Sequence, residues 1–146
     1  MSAKVAIVAG AGGALGHATA ITLTAGGLTV VAVDRNEQAL GDLPDDIRRE
    51  VADPTDPDAT KQFVDRIAGE IGPPDVLVNT IGAFRPEDVL ATTPEMLRLM
   101  LDVNLGPALW LPQAVAPHMR QQGSGAIVHV AARPGIEPAS GRLRHK

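Results

Sequence analysis

Cysteine and tyrosine are both absent from this 146-residue chain, and aromatic residues make up only 2% of it. The lack of cysteine excludes disulfides and thiolate chemistry, as is typical of cytoplasmic proteins. The lack of tyrosine makes any mechanism that needs a phenol unavailable to this chain acting alone. No apolar run approaches the roughly twenty residues of a membrane-spanning helix, and no signal peptide precedes the first apolar run. We therefore expect a cytoplasmic protein with no membrane partner.

The charge balance gives no reason to expect a nucleic-acid partner. Lysine and arginine number 13 against 17 acidic residues, for a net charge of −4. Hydrophobic residues make up 45% of the chain, and the length suits one domain. The apolar patterning stops after Ala132. We predict one domain over residues 1–132, followed by a loop and a loose basic tail over 133–146.

The stretch KVAIVAGAGGALG, residues 4–16, organises the rest of the chain. Its apolar run, residues 5–9, is short and bounded by glycines, which predicts a strand buried on both faces. Gly10, Gly12 and Gly13 then lead into a predicted helix over 14–25. Free N–H groups and the positive end of a helix dipole meet at such a loop, which favours phosphate binding. The alternative is a tight turn without a ligand.

A second predicted strand, residues 28–33, runs directly into Asp34. An acid about twenty residues beyond a glycine-rich loop can accept both hydrogen bonds of an adenosine ribose. It would also repel a 2′-phosphate, which favours NAD over NADP. Arg35 acts against this preference, because a guanidinium can pair with a phosphate or stack on adenine.

Strand and helix patterns alternate through the remaining sequence. The predicted elements are a short helix or turn over 36–43, a weaker strand over 47–52, a helix over 58–71, a buried strand over 75–79, a helix over 95–103 that continues or restarts over 104–122, and a fifth buried strand over 126–131. Pro107 and Pro112 predict a kink or break in the long helix. The alternation predicts an α/β fold with a doubly wound, Rossmann-like parallel sheet of about five strands in the order 3-2-1-4-5, in three layers.

Over about residues 5–135 the chain resembles the short-chain dehydrogenase/reductase family. Gly10, Ala14 and Gly16 align with that family's TGxxxGxG loop, with Ala9 at the threonine and Ala14 at the middle glycine. Asp34 matches the acid that binds ribose. Each motif is weak alone, but their order along the chain strengthens the match.

Three further motifs extend the resemblance. Asp53 in ADPTD matches the aspartate that meets the adenine amine, and Asn104 in DVNLGP matches an asparagine that supports a proton-relay water. NTIG, residues 79–82, resembles the family's NNAG, with departures at Thr80 and Ile81. Asn104 is thus the one candidate for a supporting catalytic role. The residues expected to bind the cofactor are Gly10, Gly12, Gly13, Ala14, Leu15, Gly16, Asp34, Arg35, Asp53, Asn79, Ile81 and Gly82.

The resemblance implies an NAD(P)-dependent oxidoreductase, but the family's catalytic residues are missing. Ala132 stands at the catalytic serine, the tyrosine would fall near His145, and the lysine would lie beyond Lys146. We therefore expect a chain reduced to its dinucleotide-binding half, truncated or frame-shifted before the catalytic pair and unable to transfer hydride alone. A small carbonyl or alcohol substrate is expected only if a full-length form exists. The alternative is a non-catalytic nucleotide-binding or protein-interaction module.

The histidines and one serine have less specific interpretations. His145 could be a substitute acid and Ser140 a displaced serine, although a chain end and a loop hydroxyl are the simpler interpretations. His129 is expected to be a hydrogen-bonded core residue, His17 to face phosphates or solvent, and His118 to oppose a helix dipole. The spacing of the histidines suggests no metal site.

The predicted domain leaves its last strand at a sheet edge. Residues 126–131 are apolar and β-branched, without the charged residues that usually protect an edge. We expect a homo-oligomer, formed either by pairing of this strand or through the helix over 104–119, which forms subunit contacts in the resembled family.

Overall fold

The structure, a computed structural model, describes residues 3–85 and 88–132. The elements in chain order are β1 (Val5–Ala9), α1 (Ala14–Ala25), β2 (Thr29–Asp34), α2 (Glu37–Leu40), β3 (Arg48–Val51), α3 (Pro57–Glu70), β4 (Pro74–Asn79), α4 (Pro94–Asn104), α5 (Gly106–Gln122) and β5 (Ala126–His129). The strands form one parallel sheet in the order β3-β2-β1-β4-β5. The predicted fold class and strand order are confirmed. None of the helices in the described ranges is long and apolar enough to cross a membrane.

Helices cover both faces of the sheet, because the central strand β1 presents apolar side chains on each face. Alternate residues of a strand point to opposite faces. Ile7 belongs to a core with Phe63 of α3 and Leu111 of α5. Val8 belongs to a second core, which includes Leu40 of α2 and residues of α1. The result is the predicted three-layer arrangement, with the ends of the buried strands exposed along one edge of the sheet.

Two of the long helices begin with a side-chain cap. The Asp56 carboxylate accepts hydrogen bonds from Asp58 N at 2.8 Å and Ala59 N at 3.1 Å at the start of α3. Thr93 Oγ1 accepts one from Met96 N at 3.2 Å at the start of α4. These caps satisfy amide groups that the helix itself cannot. The start of α1 is built differently, as described below.

The long C-terminal helix breaks at Leu105, between α4 and α5. The prediction that the helix restarts is thus correct, but its break precedes both Pro107 and Pro112, to which a kink or break was assigned. Pro107 lies in the first turn of α5, where its missing N–H costs nothing. Pro112 and Pro117 lie inside α5, which continues through both. The buried face of α5, which includes Leu111, packs on the sheet and holds the helix together across these lost hydrogen bonds.

The last strand is shorter and more exposed than predicted. All four residues of β5 are exposed, so the prediction of a buried strand is wrong. In the described part of the chain β5 pairs with β4, and no strand lies on its outer side. His129 is likewise not a core residue. It is hydrogen-bonded, however, with Nδ1 3.3 Å from Asn79 Nδ2.

His118 joins two helices. Its Nε2 lies 3.1 Å from Asp65 Oδ1 on α3, and Lys61 binds the same carboxylate. The hydrogen bonds from Lys61 and His118 lower the pKa of Asp65. The prediction that His118 opposes a helix dipole is therefore incomplete, because it leaves out the contact with Asp65. The predictions for Ser140, His145 and the tail over 133–146 lie outside the described residues.

Candidate dinucleotide site

A cleft of about 220 Å³ opens at the carboxyl ends of the strands. It crosses the gap between β1 and β4, the point at which the strand order reverses. In doubly wound sheets, ligands bind at this position. The residues lining the cleft are Gly10, Gly13, Asp34, Arg35, Asp53, Pro54, Thr55, Thr80, Ile81, Gly82, Ala83 and Val103.

Glycines let α1 approach the loop that leaves β1. Gly10 has a φ of +82°, a left-handed conformation that favours glycine. A Cβ added to Gly16 would overlap the carbonyl oxygen of Gly10 and lie 2.8 Å from Ala11 Cα. A Cβ on Gly12 would lie 2.9 Å from Asp34 Oδ2. The loop and the first turn of the helix are therefore packed backbone against backbone, with no side chain between them.

The start of α1 presents unsatisfied amides to the cleft edge. Gly13 is the N-cap residue, and within the described residues no side chain caps this helix. The N–H groups of its first turn, at Ala14, Leu15 and Gly16, have no partner inside a helix. Ala14 and Leu15 are exposed. No acidic residue occupies this turn, so the positive end of the helix remains open to an anion.

Asp34 is held beside this loop by two backbone donors. Its Oδ2 accepts a hydrogen bond from Gly12 N at 3.0 Å, and its Oδ1 accepts one from Asn36 N at 3.0 Å. The two contacts, one to each carboxylate oxygen, fix the direction of this side chain. Arg35 is exposed and lines the same part of the cleft. The acid and the base thus lie side by side at the end of β2.

Asp53 shapes the end of the cleft next to β3. Its Oδ1 accepts hydrogen bonds from Thr55 N at 3.0 Å and from Thr55 Oγ1 at 2.8 Å. This local turn places Asp53, Pro54 and Thr55 together on the wall of the cleft. One end of the cleft therefore carries two carboxylates, Asp34 at the end of β2 and Asp53 just after β3.

Asn79 supports the opposite wall from behind. Its side chain is 3% exposed and does not line the cleft. Its Oδ1 accepts a hydrogen bond from Ile81 N at 3.0 Å, and its Nδ2 contacts His129. The amide therefore bends the chain after β4 so that Ile81 and Gly82 reach the cleft.

Asn104 fixes the same wall from α4. Its Oδ1 accepts a hydrogen bond from Ala83 N at 3.0 Å, and its Nδ2 donates to Ala83 O at 3.1 Å and to Met100 O at 2.8 Å. A Cβ on Gly82 would lie 3.1 Å from this Oδ1. The Asn104 side chain therefore makes its hydrogen bonds to backbone groups, including those of Ala83, which lines the cleft. Its expected support of a relay water stays a prediction.

The structure brings most of the predicted binding residues to one place. Those that line the cleft are Gly10, Gly13, Asp34, Arg35, Asp53, Ile81 and Gly82. Those that adjoin it, in the loop, in the first helical turn or behind the wall, are Gly12, Ala14, Leu15, Gly16, Asn79 and Asn104.

Five lining residues were not predicted, namely Pro54, Thr55, Thr80, Ala83 and Val103. Each lies within two residues of a predicted residue in the sequence. Proximity to Asp53, Ile81, Gly82 or Asn104 was therefore the available signal for all of them.

The site fits a dinucleotide. The open helix terminus suits a diphosphate, the glycines leave room for close approach, and the fixed carboxylate of Asp34 can accept hydrogen bonds from ribose hydroxyls. The resemblance predicts that Ala132 stands at the family's serine, and this alignment stays a prediction.

Comparisons with known proteins agree with this geometry. A family model described as short chain dehydrogenase matches residues 4–143. The 3-oxoacyl-acyl-carrier-protein reductase of Thermotoga maritima is 30% identical over 152 aligned positions, which cover 99% of this chain and 62% of that protein. A short-chain reductase protein of Streptomyces niveus is 38% identical, over 89% of this chain and 53% of its own length.

Solved structures give the same result. A crystal structure of a putative short-chain dehydrogenase/reductase from Burkholderia xenovorans superposes with a TM-score of 0.87 at 32% identity, covering 92% of this chain and 58% of that one. The chain thus spans about 60% of the length of the curated relatives that it matches. With the matching family model, the strand order and the glycine loop, the chain belongs to the short-chain dehydrogenase family.

Proposed function

We propose that these 146 residues form the dinucleotide-binding half of a short-chain oxidoreductase, and that they bind NAD in preference to NADP. The observation that carries the proposal is the open N-terminus of α1 beside the fixed carboxylate of Asp34. Both lie where the strand order reverses. No other cleft in the described part of the chain combines these features.

The cleft residues divide among the parts of a dinucleotide. The diphosphate would meet the amides of the first turn of α1, and the adenosine ribose would meet Asp34. The adenine would lie near Asp53, beyond the ribose. The nicotinamide half would extend along Ile81 and Gly82. Only in a full-length form that carries the catalytic residues would bound NAD supply the hydride acceptor or donor of a reaction on a small carbonyl or alcohol substrate.

The preference for NAD rests on charge. A 2′-phosphate would bring a second anion against the Asp34 carboxylate, which already holds two backbone donors. Arg35 can offset part of this repulsion, because it lines the same part of the cleft. The balance favours NAD because the carboxylate is fixed toward the loop, whereas Arg35 is exposed.

Replacement of Asp34 by alanine is the test of this proposal. We expect Asp34→Ala to weaken NAD binding about tenfold, through loss of ribose hydrogen bonds to a charged acceptor. NADP binding should change less or improve, because the repulsion is gone. Calorimetric titration with NAD and NADP measures both. Asp46→Ala, which removes an exposed carboxylate outside the cleft, is the matched control and should leave both affinities unchanged.

Two outcomes would contradict this proposal. If the chain gives no binding heat and no thermal shift with millimolar NAD or NADH, the cleft is not a dinucleotide site. If Asp34→Ala weakens NADP more than NAD, Arg35 sets the preference and the cofactor is NADP.

We also propose that the chain self-associates, because it carries two exposed apolar surfaces. The first is the outer side of β5, where Val128 is 48% exposed. The second is α4, which precedes the helix over 104–119 predicted for this role. It is amphipathic with no buried residue, and Leu97 and Leu101 on it and Leu105 at its C-cap are all exposed. Their spacing of four residues places these leucines on one face of the helix.

Light scattering at high micromolar concentration should therefore give a mass of at least two chains. A charge placed on the interface should return the monomer, so Val128→Lys and Leu101→Lys distinguish the strand from the helix. Arg98→Glu, a charge reversal on an exposed residue of the same helix, is a control for charge alone. A monodisperse monomer of the unmodified chain would contradict self-association through either surface.

A further inference from the structure

Two departures from the family's sequence pattern contact each other in this chain. Ala9 stands where the TGxxxGxG pattern has threonine, and Thr80 stands where NNAG has its second asparagine. The two residues lie at the ends of the neighbouring strands β1 and β4. Thr80 N donates a hydrogen bond to Ala9 O at 2.9 Å. The chain therefore lacks a hydroxyl on one strand and has one on the other, at the same level of the sheet.

The Thr80 hydroxyl binds the backbone at the point where the chain leaves β1. Its Oγ1 lies 2.9 Å from Ala9 O and 3.2 Å from Gly10 O, so its single proton is available to two carbonyls. It would also lie 2.7 Å from a Cβ on Gly10. The Thr80 hydroxyl therefore packs directly against Gly10, the first residue of the glycine loop.

The Gly10 carbonyl is the central acceptor of that loop. It accepts a hydrogen bond from Gly13 N at 3.0 Å, and the Cα of Gly16 packs against it. Gly13 is in turn the N-cap residue of α1. The direction of this one carbonyl therefore decides where the open amides of the helix terminus lie. A side chain that donates to it therefore acts on the phosphate-binding geometry through the backbone.

We propose that Thr80 is a positioning residue for the dinucleotide-binding loop, and that its hydroxyl replaces, from the opposite strand, the side-chain hydroxyl that Ala9 lacks. This inference rests on the proposed binding of a dinucleotide for its functional consequence. Its structural part, namely that the Thr80 hydroxyl fixes the positions of Gly10 and Gly13, does not require a bound ligand.

Thr80→Val removes the hydroxyl at nearly constant shape, and Thr80→Ser keeps it. We expect Thr80→Val to speed amide hydrogen exchange about three- to tenfold at Gly13 and at His17, whose N–H donates to Gly13 O at 2.8 Å, and to weaken NAD binding by a similar factor. Thr80→Ser should restore both values to within about twofold of the unmodified chain. Thr92→Val, which removes a hydroxyl that donates to Asp88 O away from the cleft, is the control and should change neither.

Three results would overturn the inference. Exchange at Gly13 in Thr80→Val could equal that of the unmodified chain. It could rise equally throughout the sheet, which would indicate a general loss of stability. Thr80→Ser could behave as Thr80→Val does, which would assign the effect to packing of the methyl group. If the unmodified chain binds no NAD, the proposed function fails, but the exchange comparison still decides the role of Thr80.

Discussion

The purified 146-residue chain is expected to oxidise NADH with carbonyl substrates no faster than a protein-free solution does. The chain contains no tyrosine, and we predict that Ala132 stands where the family has its serine. General acid catalysis contributes typically 10²–10⁴-fold, and one hydrogen-bond donor to a developing oxyanion about 10²–10³-fold. Loss of both lowers the expected rate by about 10⁴-fold or more. Absorbance at the NADH band, followed with a panel of aldehydes and ketones, measures it.

One result would show that another residue has taken over the acid's role. This is NADH oxidation above background that disappears in Asp34→Ala, since such activity would depend on the dinucleotide cleft. Activity that survives this substitution would instead indicate a contaminant. The pH dependence of any genuine activity would identify the class of acid, because a histidine titrates near neutrality.

Among the glycines that the structure describes, Gly16→Ala is expected to have the largest effect of a single added methyl group. Its Cβ would overlap the Gly10 carbonyl oxygen, and both contacts are backbone, so a side-chain rotation cannot relieve them. Overpacking of this kind costs about 1–3 kcal/mol of folding free energy. The same shift would move the helix terminus away from the loop. We therefore expect a lower midpoint in urea together with loss of NAD binding.

Gly69→Ala is the matched control for this change. Gly69 lies inside α3, and a Cβ there would have no neighbour within 4 Å. Because alanine is the better helix former, this substitution should stabilise the chain by up to about 1 kcal/mol and leave NAD binding intact. Equal stability of Gly16→Ala and the unmodified chain would contradict the close packing of the loop against α1.

The sequence predicted the elements whose signals are local. The run over 5–9, the glycines and the helix over 14–25 share one continuous stretch, and the structure places each boundary where the pattern does. Asp34 could be found because its distance along the chain from the loop is set by the length of one helix and one strand. The strand order followed from alternation of strand and helix and the rules of parallel connections.

Contacts between distant segments could not be predicted in this way. The bonds from Asn104 to Ala83 depend on where α4 packs, and the pairing of His118 with Asp65 depends on the approach of α5 to α3. Pro112 is a helix breaker by local rules, yet burial of one face of α5 overrides them. The exposure of β5 was also missed, because its apolar sequence is typical of a strand covered on both sides.

Backbone amide shifts on addition of NAD test the central claim most directly. We predict saturable changes at Gly12 to Gly16, at Asp34 and at Gly82 to Ala83, all with one dissociation constant, because these groups surround one cleft. The Gly12 amide is the most informative of them, since it donates to the Asp34 carboxylate. Absence of any change with millimolar NAD would contradict the account. So would changes confined to the groove between α3 and α5, which Lys61, Trp110 and His118 line.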